Sequence, residues 1–178
     1  MALNCNYALS TKLHQLLTKR QFKLCFAESC TGGSLSAEFT AVNGASRFFD
    51  CGFITYSNEA KIKLLNVPPL LIDTYGAVSR ECACAMATGA LSASQADLAL
   101  SITGIAGPTG GSIEKPVGTV YIAITNALQQ TWCQHLSLDG GRKHIRRQGV
   151  RAAFEFLIKY LSHLPDARSR NPDARSRS

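Results

Sequence analysis

Short apolar runs alternate with amphipathic ones along most of the chain, and this alternation limits the architecture more than any other feature. "FKLCFA" (22–27), "CGFITYS" (51–57) and "ADLALSIT" (96–103) have the length and side-chain content of buried strands. Between them lie helical patterns. Leu9, Leu13, Leu16 and Leu17 share one face of a helix over 6–20, and Leu35, Phe39 and Val42 mark a second helix. "NEAKIKLL" (58–65) is a helix with Ser57 or Asn58 as its cap, and "PPLLIDTYG" is a short helical turn closed by Gly76. Ser79 and Glu81 open an alanine-rich helix to about residue 94, and residues 142–161 form a last amphipathic helix. Strands alternating with helices predict a layered α/β domain. "TVYIAITN" (119–126) and "TWCQHLSL" (131–138) flank "ALQQ" as a hairpin, so the sheet is expected to be mixed.

The 178 residues suit one domain with its own core, and 46% hydrophobic against 17% charged residues is a globular balance. The expected domain is 1–164. Beyond it "PDARSR" occurs at 165–170 and again at 172–177, a polar repeat that predicts a disordered tail over 165–178. No apolar stretch has the length of a membrane span, and the N-terminus lacks the pattern of a signal peptide, so a cytoplasmic protein is expected. The seven cysteines contain no CxxC pair, which argues against both a disulfide framework and a zinc site. Of the net charge of +7, residues from Asp139 onward carry +6. So local a concentration fits an anionic small ligand at a helix start and a solvated tail better than a nucleic-acid docking face.

One turn concentrates reactive side chains. "CFAESCTGGSLSAEF" (25–39) runs from a strand through Ser29, Cys30, Thr31, Gly32 and Gly33 into a helix. Free backbone N–H groups and the positive end of a helix dipole would lie beside Ser29, a setting for an oxyanion or a phosphate. The turn matches neither a Walker loop nor a GxSxG elbow. A plainer reading is that Ser29 or Thr31 only caps the helix. "GFITYSNEAK" brings Tyr56 and Lys61 to a second strand end, where a lysine of lowered pKa could activate a serine, or simply be solvated. Desolvation under the strand ends, or repulsion from a second cation such as Lys63, Lys115 or Arg142, would depress it, and Glu59 and Glu114 are expected to point away. None of the four histidines has a clear claim to the role of base; His14 and His163 read as surface-helix residues. "SITGIAGPTGGSIEKPVGT" (101–119) places a long glycine-rich loop after a strand that ends at Thr103, the pattern of a binding loop.

"AESCTGG" (27–33), "RFFDCGFITYSNEAK" (47–61), "YGAVS" (75–79), "TGIAGPTGGSIEKPVGTVY" (103–121) and "GR…IRRQ" (141–148) occur in one order. Together they resemble the C-terminal domain of the competence-damage protein CinA, over roughly residues 7–161. The resemblance implies a three-layer α/β/α sandwich with a mixed, mostly parallel sheet. It also implies the activity of the stand-alone nicotinamide mononucleotide amidase, by a Ser/Lys mechanism without metal or other cofactor. That reaction belongs to pyridine nucleotide salvage and gives nicotinic acid mononucleotide and ammonia. Carried onto this chain, Ser29 is the nucleophile and Lys61 the base, with Tyr56 beside them. Substrate binding falls to Ser46, Thr31, Gly32, Gly33, Thr103, Gly104 and Arg142. The family's Gly-Asp-Arg motif reads Gly140-Gly141-Arg142 here, so its aspartate is missing, with Asp139 as a candidate substitute. The implied partner is a pyridine mononucleotide, with no nucleic acid and no membrane; a homo-oligomer is left open. The competing readings are a Cys30-based hydrolase, a non-catalytic nucleotide-binding or competence-related regulatory module, and a DNA binder using the basic C-terminal end.

Overall fold

The computed structural model describes residues 5–164. The expected tail over 165–178 lies outside the described residues. Five strands form one sheet: β1 (Leu24–Glu28), β2 (Phe49–Ile54), β3 (Leu98–Gly104), β4 (Thr119–Asn126) and β5 (Thr131–Ser137), in the order β2-β1-β3-β4-β5. β1 pairs in parallel with both β2 and β3, whereas β4 is antiparallel to β3 and to β5. Four strands therefore share one direction and β4 alone runs against them. The sheet is mixed, as the hairpin predicts.

Burial explains why the strands read differently in sequence. β1 is buried at every position and β3 at all but its last, so both appear as continuous apolar runs. The edge strand β2 alternates between half-buried and exposed positions, and most of β5 lies at the surface. Side chains alternate across β1: Leu24 and Phe26 enter one core, Cys25 and Ala27 the other.

The first core lies under α1 (Cys5–Arg20), α2 (Ser34–Thr40) and α6 (Arg142–His163), where Leu13, Leu17, Phe39, Phe154 and Leu157 are fully buried. The second lies under α3 (Asn58–Leu65), α4 (Pro69–Tyr75) and α5 (Arg80–Ser92), with Leu65, Met86 and Ala90. The result is the three-layer α/β/α sandwich. His14 is not a surface residue. Its Nε2 lies 3.3 Å from the Phe39 carbonyl and its ring packs on Phe39 and Phe48, which buries it between α1 and α2. Among the described residues no helix is long and apolar enough to cross a membrane.

Candidate active site

The parallel strands β1, β2 and β3 end on the same side of the sheet, and the chain turns into new structure there. Open α/β sheets commonly bind ligands at such strand ends. Ser29 follows β1 directly, with its N–H still on the ladder to the Ile102 carbonyl at 3.0 Å. The Gly32 N–H returns to the Ser29 carbonyl at 3.0 Å and closes the turn. Gly32 and Gly33 have φ of 56° and 92°, the left-handed region that a side chain at either position would strain.

Neither Ser29 nor Thr31 caps α2. The residue before the helix is Gly33, which has no capping side chain. The cap comes from Glu28, the fully buried last residue of β1. Its Oε2 accepts from Gly33 N (2.9 Å), Leu35 N (3.0 Å) and the Thr31 hydroxyl (2.7 Å). Its Oε1 accepts from Ser36 N (2.8 Å) and the Ser36 hydroxyl (2.7 Å). Arg146 of α6 adds a clamp, donating through Nη2 to the Thr31 carbonyl (2.6 Å) and the Ser34 hydroxyl (3.0 Å). The Ser29 hydroxyl is thereby left free of structural duty. The Cys30 and Thr31 N–H groups also find no backbone acceptor among the described residues.

Lys61 reaches Ser29 from the other side. α3 starts with a local cap, in which Ser57 Oγ accepts from Ala60 N at 3.0 Å. That fixes Lys61 in the first turn, aimed back under the strand ends and 1% exposed. Its Nζ lies 3.1 Å from Ser29 Oγ, 2.9 Å from the Thr55 carbonyl, and 3.5 and 3.4 Å from the Tyr56 and Ser57 carbonyls. Burial pulls its pKa below the ordinary value of 10.5. The candidate cations do not contribute to that shift. Lys115 is turned to the Tyr75 carbonyl at 2.6 Å, and the charges that act on Lys61, from Cys82, Cys30 and Glu59, all raise its pKa. Glu59 and Glu114 are both exposed. In its neutral form the amine has one lone pair for the Ser29 hydroxyl proton and two N–H donors for the carbonyls.

A cleft of about 200 Å³ opens above the pair. Ser29, Lys61, Tyr56, Thr103, Gly104 and Arg142 line it, together with Cys30, Asn58, Ala77, Val78 and Ala106. Thr103 donates to the Ala77 carbonyl at 2.9 Å and so ties the α4–α5 connection to β3. Arg142 spans the mouth, donating to the Tyr56 hydroxyl (2.7 Å) and the Gly107 carbonyl (2.9 Å). α6 begins at Arg142 with Gly141 as a cap that offers no side chain. Asp139 takes no capping role; its carbonyl accepts from Gln148 at 2.7 Å.

The structure does not bring every expected residue to the cleft. Ser46 is exposed in the single 3₁₀ turn Ala45–Arg47 and lines a different hollow, with Asn43, Gly44 and Phe49. Thr31, Gly32 and Gly33 shape the turn and are not part of the cleft lining. Tyr56 is 58% exposed, and its hydroxyl meets Arg142, not the Ser29–Lys61 pair. Cys30 does face the cleft, but it is buried and its thiol is pushed up to about 11, chiefly by desolvation, so it is protonated near neutral pH. Glu28 and Arg146 were not legible as site residues. A strand glutamate followed by hydroxyl and glycine residues was the available signal. Among the described residues no cluster of His, Cys, Asp or Glu could hold a metal ion.

Fold and site define a class: an α/β/α domain in which a buried lysine meets a serine in a strand-to-helix turn. The CinA C-terminal domain family matches residues 6–161, and the chain belongs to that family. It is 48% identical over 155 residues to a CinA-like protein of Geobacter sp. (strain M21), and 48% identical over 155 residues to one of Citrifermentans bemidjiense. Both alignments cover 86% of this chain and 37% of the relative, so the chain spans little more than a third of these curated relatives' length. Among solved structures, the competence/damage inducible protein CihA from Agrobacterium tumefaciens superposes with a TM-score of 0.86 at 41% identity, covering 91% of this chain and 99% of that one. The competence damage-inducible protein A (ComA) from Klebsiella pneumoniae gives a TM-score of 0.87 at 34% identity, covering 90% and 99%.

Proposed function

We propose that the chain is a nicotinamide-nucleotide amidase, hydrolysing the carboxamide of nicotinamide mononucleotide to nicotinic acid mononucleotide and ammonia. One observation carries the reading: the buried Lys61 Nζ lies 3.1 Å from Ser29 Oγ, in a cleft open to solvent. Amide hydrolysis needs a nucleophile, a proton shuttle, a site for the oxyanion and water for deacylation. Neutral Lys61 takes the Ser29 proton as Oγ attacks the carboxamide carbon. The backbone N–H groups of the Cys30–Thr31 turn are the donors we assign to the developing oxyanion. Lys61 then returns the proton to the departing nitrogen, and ammonia leaves. Water, deprotonated by the same lysine, cleaves the acyl-serine to the free acid. Arg142 at the mouth supplies a fixed positive charge for the substrate's phosphate, exchanging its contacts with Tyr56 and Gly107 for it.

The test is ammonia release from nicotinamide mononucleotide by the wild-type chain and by Ser29→Ala. Turnover that depends on Ser29 supports the reading. Mononucleotide binding without turnover in the wild type would replace it with a binding or regulatory module.

A further inference from the structure

We propose that Cys84 and Cys133 form a peroxide-responsive dithiol, a modification site that closes to an intramolecular disulfide between α5 and the edge strand β5. The site lies on the α5 face of the β4–β5 hairpin and is independent of the amidase reading.

The packing brings these two cysteines together. Both lie against the same small-residue cluster, Ala83, Ala87 and Ala123. Cys133 is paired across the hairpin with Ala123, and Ala123 with Ser101 of β3. The Ser101 hydroxyl donates to the Ala83 carbonyl at 2.6 Å, which pins α5 at this level of the sheet. One helical turn on, Thr88 Oγ1 lies 3.4 Å from Thr125 Oγ1, which lies 2.9 Å from Thr131 Oγ1. Residues 84 and 88 are four apart on α5, and 133 and 131 are two apart on β5, so both pairs share a face. The threonine bridge and the cysteine pair are therefore successive rungs of one contact. Alanines beneath the helix let it approach closely, and both cysteines pack on that one small-residue cluster.

The surroundings favour oxidation at Cys84. Both cysteines are half-buried, so a small oxidant can reach them. The neighbouring Cys133 thiol and Arg80, one turn earlier on α5, hold the Cys84 pKa below the usual thiol range against burial and Glu81. Cys84 and burial raise the pKa of Cys133. Cys25, Cys30 and Cys51 are pushed up by desolvation, to about 12, 11 and 11. Cys84 thiolate attacks a hydroperoxide oxygen, the O–O bond breaks, and Cys84 becomes a sulfenic acid as the leaving oxygen departs as water or alcohol. Cys133 sulfur then attacks Cys84 sulfur, the S–O bond breaks, and the Cys133 proton leaves with the hydroxyl as water. The peroxide gains the two electrons that the dithiol loses.

The experiment treats the reduced full chain with graded hydrogen peroxide, blocks remaining thiols with N-ethylmaleimide under denaturing conditions, and maps peptides without reduction. Glutamyl endopeptidase is the protease of choice, since Glu114 separates the two cysteines. The expected result is the loss of two of the seven thiols, a cross-link between the 82–114 and 115–155 peptides, and its reversal by dithiothreitol. Cys84→Ser should abolish the cross-link, and Cys133→Ser should leave Cys84 as a sulfenic acid that dimedone traps. If other cysteines are oxidised first, or if the cross-link survives Cys84→Ser, the proposal is overturned.

Discussion

Two helices leave the same end of the sheet after neighbouring parallel strands, and they start in different ways. α3 is capped by its own flanking hydroxyl, Ser57, at 3.0 Å. α2 is capped by Glu28, the last residue of the preceding strand, which accepts five hydrogen bonds across the turn. A hydroxyl that caps a helix is spent on structure, as at Ser57. With a buried carboxylate as cap, the hydroxyl next to it remains free to face Lys61, as at Ser29. The two starts thus divide the work: α3 aims the lysine and α2 presents the serine.

The largest expected effect tests whether Ser29 is free for chemistry. Ser29→Ala should lower ammonia release by about 10³-fold or more with the melting temperature unchanged, because the residue caps nothing. A variant that keeps activity within tenfold of wild type would remove Ser29 from the mechanism. Cys30→Ser should stay close to wild type; a folded but inactive Cys30→Ser would transfer the role to the thiol.

Lys61 comes next. Lys61→Arg should be nearly as inactive as Lys61→Ala, since a guanidinium keeps its proton at working pH. Because burial lowers the folded pKa of Lys61 below 10.5, the wild-type rate should rise with pH through an apparent pKa under that value. The same shift fixes a sign for stability. Between the lowered pKa and 10.5 the unfolded chain binds more protons than the native one, so the lysine's burial penalty shrinks as pH rises through that window. Substantial activity in Lys61→Arg would mean that only positive charge is required.

How much of this was legible in the sequence follows from the same contrast. Ser57 and Ser79 cap their helices through neighbouring N–H groups, and both starts could be read from local spacing. The residues offered Ser29 and Lys61 as candidates beside plainer readings, and only the resemblance decided for the pair, because the two are 32 residues apart and meet through the parallel register of β1 and β2. Glu28 was missed because a charged residue in a buried strand has no periodic signature; its partners lie ahead of it in the turn. Ser46 was placed at the site by motif alone, but the 3₁₀ turn before β2 lies away from the end of β2 that meets the cleft. Of the two causes expected to lower the pKa of Lys61, desolvation under the strand ends acts, in a residue that is 1% exposed, and a neighbouring cation does not.

Glu28→Gln separates the two starts more finely. The amide keeps one acceptor oxygen and sets an NH₂ group against a backbone N–H, so at least one N–H loses its acceptor and faces a second donor in a fully buried site. Each unsatisfied buried group costs about 1–3 kcal/mol, so a stability loss of roughly 3 kcal/mol is expected in a denaturant titration. The turn that carries Ser29 should loosen as well, with turnover falling about 10²-fold in the fraction that remains folded. Unchanged stability would show that Glu28 is not the cap of α2 in solution.

Ser57→Ala is the smallest change and the complement to that one. It removes a single exposed cap from α3 and leaves the Ala60 N–H to water, which costs about 1 kcal/mol. For a chain of this size that corresponds to a melting temperature lower by about 2–4 °C. The Ser57 carbonyl, which receives Lys61 Nζ at 3.4 Å and the Lys61 N–H at 3.2 Å, belongs to the backbone and stays in place. Lys61 should therefore keep its aim, and ammonia release should fall by less than about threefold, which converts to under 0.7 kcal/mol of barrier. A Ser57→Ala enzyme that melts as expected but loses most of its turnover would show that the cap itself holds the lysine on the serine. The division of work between the two helix starts would then fail at α3.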